Sequence, residues 1–268
     1  MLRRFFRRAA PARIPEALWI ELLTDPVFAH LAAPQREKLK TLSEAFLRGK
    51  RFYGAHGLEL TDLMLATIAA RATLLILELG LSAYRGWVGI VLYPGEFVIP
   101  GRDLDEDGIM HEYDEIAAGE AWDDGPVLLS WADVQAADAG YDVVLHEFAH
   151  KLDLLNGEAD GVPRLHSGLR AAEWRAGLEA AFHDFCQRVE AAASRHPPCA
   201  AQRALEQLPL DAYAAEDPSE FFAVASETFF SAPQLLAQTY PAFYHLLTRF
   251  YRQNPLCGGG RCNPTTNP

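Results

Sequence analysis

Cysteine is scarce in this chain: four among 268 residues, without a regular spacing. A disulfide framework of the kind that staples small secreted domains is therefore not expected, and a reducing cytoplasm suits the chain. Positive charge is also short. Lys and Arg number 24 against 36 Asp and Glu, for a formal net charge of -12. Such a balance offers little to a phosphate backbone and argues against direct nucleic-acid binding as the main activity. The basic start MLRRFFRR meets Pro11 and Pro15 before any apolar run of signal-peptide length. The most apolar stretch, Leu63 to Leu81, holds Arg71 in its middle and has Asp62 and Glu78 at its edges. A buried helix fits that pattern better than a membrane span, because charge at bilayer depth is costly. No internal repeat is visible.

What is present is half hydrophobic and 22% charged, a globular composition. The expected organisation is a basic, frayed arm over 1–14, a single domain over 15–255 with a helical N-terminal part, and a flexible tail over 256–268. Cys257 and Cys262 in that glycine- and proline-rich tail are read as disordered rather than as a metal pair. Helical spacing runs from Pro15 to about Arg51, with Leu39, Leu42, Phe46 and Leu47 on one face of a helix opened by Pro34. Thr61 is the expected cap of the apolar helix and Gly80 its expected end. Trp87–Tyr93, Glu96–Ile99 and Gly125–Trp131 read as strands. Between them, Gly101–Gly108 reads as an acidic solvated loop. Asp103, Asp105, Asp107 and Gly108 match the first half of a calcium loop, but Asp114 stands where its closing glutamate belongs. A short helix is expected from Trp131, a long one over Ala171–Ala193, a loop over Leu205–Ala215, and further helices from Pro218 to Tyr251.

The chemistry concentrates in Tyr141–Asp153, YDVVLHEFAHKLD, which contains His146-Glu147-Phe148-Ala149-His150. On a helix, the two imidazoles stand about 40° apart around the axis and about 6 Å apart along it. Both can reach one Zn²⁺, with Glu147 beside them as a general base: the H-E-x-x-H arrangement of zinc hydrolases. Core packing alone has no use for a glutamate between the two histidines. The fold class expected around it is α+β, mainly helical and zincin-like, with a small mixed β-sheet beside the motif helix. An edge strand of such a sheet commonly pairs with extended substrate backbone.

A third ligand is needed. The three-histidine extension is closed, because Asp153 and Asn156 occupy the places of its glycine and last histidine. Glu173 and Glu179 lie downstream, but in an ordinary amphipathic surface pattern. Better placed are Glu220 and Glu227, two turns apart on one face of the helix opened by Asp217-Pro218. Both sit amid Phe221, Phe222, Val224 and Phe229, where a carboxylate needs a partner. Spacing does not choose between them. Asp153, about one turn beyond His150, is placed either to orient an imidazole or simply to end the helix.

HEFAHKLD together with DAYAAEDPSEFFAVASETFFSAP, Asp211 to Pro233, resembles the MtfA (Mlc titration factor A) family of zinc metallopeptidases. The resemblance runs from about Trp19 to Pro255 and includes LELGL and GPVLLSW. That family's catalytic core is similar to the anthrax lethal factor peptidase domain, in which a tyrosine and the metal-binding glutamate are seven residues apart, as Tyr213 and Glu220 are here. The resemblance thus implies His146, His150 and Glu220 as ligands of one Zn²⁺ per chain, Glu147 and Tyr213 as catalytic groups, and Glu227 as a support for a ligand histidine. It implies an aminopeptidase-like, gluzincin-type activity on peptides. It implies also a partner, the glucose-responsive repressor Mlc, which such proteins bind and remove from DNA. An alternative of another class follows: a regulatory binding module whose catalysis is incidental.

Overall fold

The computed structural model describes residues 6–8, 10, 11, 13–104, 110–121 and 125–257. Expectations for Cys262 and for Asp105, Asp107 and Gly108 lie outside these residues. Strand β1 (Phe6–Arg8) is followed by helices α1 (Glu16–Leu22) and α2 (Ala33–Gly49), strand β2 (Arg51–Gly54) and helix α3 (Asp62–Leu75). Next come strands β3 (Gly89–Tyr93), β4 (Phe97–Leu104), β5 (Met110–Ala117), β6 (Gly119–Ala121) and β7 (Val127–Ser130). Helices α4 (Trp131–Gln135), α5 (Val143–Asp153), α6 (Ala171–Ala193), α7 (Pro198–Glu206), α8 (Pro218–Ser231), α9 (Pro233–Thr239) and α10 (Pro241–Tyr251) complete the chain. The fold class is α+β and mainly helical.

The sheet is mixed, in the order β1-β2-β3-β7-β6. Its central pairs β2–β3 and β3–β7 are parallel, and β1 and β6 close the two ends antiparallel. β3 and β7 read as near-continuous apolar runs because both of their faces are covered. β4 and β5 form a separate antiparallel ribbon.

Helix α3 is apolar nearly all round and is buried all round, as such a helix must be. Thr61 Oγ1 accepts from Met64 N at 3.2 Å and caps it. Arg71, in its middle, donates to Asp25 Oδ2 at 2.8 Å and to Val134 O at 2.8 Å and lies 3.2 Å from Asp142 Oδ2, so its charge is answered inside the protein. Among the described residues no helix is long and apolar enough to cross a membrane. Helix α5 packs against α3, β6, β7 and α8. Its rear is held by Phe148, whose ring meets Tyr84 at 5.3 Å and Phe46 and Trp87 at 5.7 Å each.

Several expectations need correction. Part of the arm expected to fray is strand β1, paired on β2, and Arg8 bonds Leu60 O and Asp62. The loop expected from Gly101 begins later, since β4 runs to Leu104 and pairs with β5, a strand the sequence did not announce. Helix α3 stops at Leu75, short of Gly80; turns fill the gap, and Gly80 then takes a φ of +83°. Helix α7 was not expected either.

Candidate metal centre

Two helix starts set the geometry. Asp142 caps α5, accepting from Val144 N at 3.0 Å and Leu145 N at 3.1 Å. Asp217 caps α8, accepting from Ser219 N at 2.7 Å and Glu220 N at 2.9 Å, with Pro218 in the first turn. The first turn of α8 therefore holds Glu220 against the histidine face of α5. His146 Nε2 and His150 Nε2 lie 3.1 Å apart, and Glu220 Oε2 is 3.2 Å from the former and 3.3 Å from the latter. Among the described residues this trio is the cluster able to hold a metal ion. The donor set fits one. Two imidazole lone pairs and a carboxylate oxygen at such distances repel unless a cation or proton lies between them. The protein's own charges favour a cation there: burial disfavours a charged His146, but hydrogen bonds to Glu220 and Glu227 outweigh it and pull its pKa up. Burial would raise Glu220, yet its bonds to His146 and His150 win and hold it down at about 2.

Each imidazole is turned by a carboxylate behind it. His146 Nδ1 faces Glu227 Oε2 at 3.4 Å, and Glu227 Oε1 accepts from Asp142 N, the cap of the same helix. His150 Nδ1 donates to Ser219 Oγ at 3.2 Å, and that hydroxyl donates to Asp153 Oδ2 at 2.7 Å. Asp153 also accepts from Gly161 N at 2.8 Å. Asp153 thus reaches the imidazole through a serine rather than directly. Both outer nitrogens act as donors, which leaves both Nε2 lone pairs for a metal.

Glu147 is buried, and its Oε2 has no hydrogen-bond partner. Burial, with Glu220 and Glu120 nearby, raises it to about 7 against the pull of the two histidines. It opens on a cavity of about 530 Å³ that β6 borders on one side and Tyr213 on another. Tyr213 rides on the 3-10 turn Ala212–Ala215, is 45% exposed, and stands with its ring 6.4 Å from that of His146. Glu173 is elsewhere, paired with Arg249 on the surface. Sequence reasoning passed over Ser219 and the Arg71–Asp142 pair. Ser219 adjoins Glu220 in the quoted motif, and Arg71 was noticed only as a charge in an apolar stretch.

An H-E-x-x-H helix whose imidazoles meet a glutamate from a second helix is a candidate metal centre of the two-histidine, one-glutamate type found in metallopeptidases. The particular family follows from comparison with known proteins. The chain belongs to the MtfA family, the glucose-regulated metallo-peptidases M90, whose model matches residues 2–252. It is similar to Mlc titration factor A of Klebsiella pneumoniae subsp. pneumoniae, 40% identical over 249 residues that span 90% of this chain and 88% of that protein. It is also similar to Mlc titration factor A of Salmonella arizonae, 39% identical over 242 residues (89% and 91% of the two chains), and to that of Escherichia coli ATCC 8739, 39% over 251 residues (92% and 90%).

Proposed function

We propose that this chain is a zinc-dependent, zincin-like aminopeptidase, residues 15–255 forming one peptidase domain that binds one Zn²⁺ through His146, His150 and Glu220. The observation that carries the proposal is the meeting of those three donor atoms at 3.1–3.3 Å beside a buried, unbonded Glu147 oxygen. Zn²⁺ held there supplies Lewis-acid polarisation of the scissile carbonyl and acidifies water towards a pKa of about 7. Glu147 takes the proton of the attacking water and passes it to the leaving amine. Tyr213 donates a hydrogen bond to the developing oxyanion, an interaction worth about 3 kcal/mol in tight geometry. Extended substrate backbone lies along β6, the end of the sheet that borders the cavity.

The names of the relatives carry a second role. In our reading the chain also binds the repressor Mlc, in the cytoplasm. Hydrolysis of a chromogenic amino-acid amide tests the enzyme: chelation should abolish it and added Zn²⁺ restore it. Glu147→Gln should keep zinc yet lose at least about 100-fold in kcat. Unchanged turnover in that variant removes the general base. Mlc capture by the same variant would show that binding does not need catalysis.

A further inference from the structure

Strand β6 passes close to α5, and at Gly119 its backbone comes right up against the side chain of Glu147. A Cβ placed on Gly119 would lie 2.4 Å from Glu147 Oε1, 2.6 Å from its Cγ and 2.7 Å from its Cδ. None of these distances is tolerated between real atoms. The backbone of Gly119 does not itself ask for glycine, since its φ lies outside the left-handed region. It sits in regular antiparallel pairing, opposite Leu129, with the strand held at its start by Ser130 N donating to Ala118 O at 2.7 Å. The three atoms nearest to the missing side chain all belong to Glu147.

From this geometry we infer that Gly119 is a positioning residue for catalysis: its bare face is the berth that keeps the Glu147 carboxylate between the edge strand and the His146–His150–Glu220 donors. The backbone of Glu147 has little room to retreat. The helix that carries it is buried, and its neighbours are fixed, His146 by Glu227 and His150 by Ser219. What can yield is the far half of the side chain, the part that meets the added methyl group. A substitution at 119 therefore turns the carboxylate aside and leaves the backbone and the metal donors where they are. The same clearance sets the distance between the base and any peptide backbone laid along β6, so one atom's absence couples proton transfer to substrate register.

The inference rests on the peptidase reading, and one set of variants separates the two. Gly119→Ala should bind zinc stoichiometrically and lose about 100-fold in kcat, the scale of an ångström-sized misplacement, while KM moves by less than about threefold. Its crystal structure should show the Glu147 carboxylate rotated out of its berth. Added to Glu147→Gln, the alanine should cost less than about twofold more, since residues acting through one contact are not additive. Wild-type kcat in Gly119→Ala, an unmoved carboxylate, or losses that multiply in the double variant would each overturn it. Should Gly119→Ala prove insoluble, the Gly119→Ala, Glu147→Ala pair decides: a soluble, folded protein supports the steric contact, an insoluble one refutes it. An active Glu147→Gln defeats the peptidase reading; an inactive Glu147→Gln beside a fully active Gly119→Ala defeats this inference alone.

Discussion

Ser219 is a small residue with two obligations. Its hydroxyl accepts from His150 Nδ1 and donates to Asp153, so it fixes the tautomer of one proposed metal ligand from the position next to another. Removing it leaves His150 Nδ1 without that acceptor and takes one of two donors from Asp153, in a place only 4% exposed. Ser219→Ala should weaken zinc binding by about 10- to 100-fold, measured by competition with a chromophoric chelator. Affinity equal to wild type would mean that the relay is only packing. A comparison of the two glutamates on α8 follows the same logic. Glu220→Ala removes an oxygen that lies within 3.3 Å of both Nε2 atoms and should cost most of the bound metal. Glu227→Ala removes only the group behind His146 Nδ1 and should retain metal at reduced affinity. The reverse order of metal content would reassign the ligand. Here the residues alone stopped short: both carboxylates share a helix face, and the docking of α8 on α5, rather than their spacing, decides which one meets the histidines.

Helix boundaries were legible wherever a side chain or a proline states the reason for them. Asp217 and Pro218 open α8 at the expected place, and Ala171–Ala193 has the expected bounds. Pro198 occupies the first turn of α7, where a missing N–H costs nothing. Strand β5, MHEYDEIA, went unseen because acidic residues are poor strand formers and its pairing with β4 is not written in its local pattern. The start of α5 offers a test at this scale. Burial raises Asp142 to about 6, against the pull of Arg71 and of the Leu145 amide. A carboxyl raised in this way contributes its full share of stability below its ordinary value of 3.8, and loses it as pH climbs through about 6. Asp142→Asn keeps a good cap and does not titrate, and Arg71 retains Asp25. The melting temperature of the variant, relative to wild type, should therefore rise between pH 4 and 7. A difference that stays flat across this range would show that Asp142 is ionised at no cost.

Across the whole molecule, the centre joins parts of the chain that have little else to bring them into register. His150 and Glu220 are 70 residues apart in sequence, and the edge strand that borders their cavity is ordered by pairings that no local pattern encodes. That is why the sequence announced the helix motif but could not say which glutamate meets its histidines or which strand faces Glu147. A metal held there as proposed would be part of the fold: a cation shared by α5 and α8 would bind the folded chain, have no comparable site in the unfolded one, and so stabilise by mass action. At a free metal concentration 100 times its dissociation constant, the linkage amounts to about 2.7 kcal/mol. For a domain of this size that is about 5–10 °C in Tm. Chelation should lower Tm by this amount, and Zn²⁺ should restore it. Mg²⁺ should not, because two imidazoles favour a borderline ion over a hard one that demands oxygen. Glu147→Gln should show the same shift as wild type, since it leaves the donors in place, whereas Glu220→Ala should show little. A Tm indifferent to chelator, or one that Mg²⁺ restores equally well, would mean that α5 and α8 are held together by their apolar faces alone and that the three donors meet for some other reason.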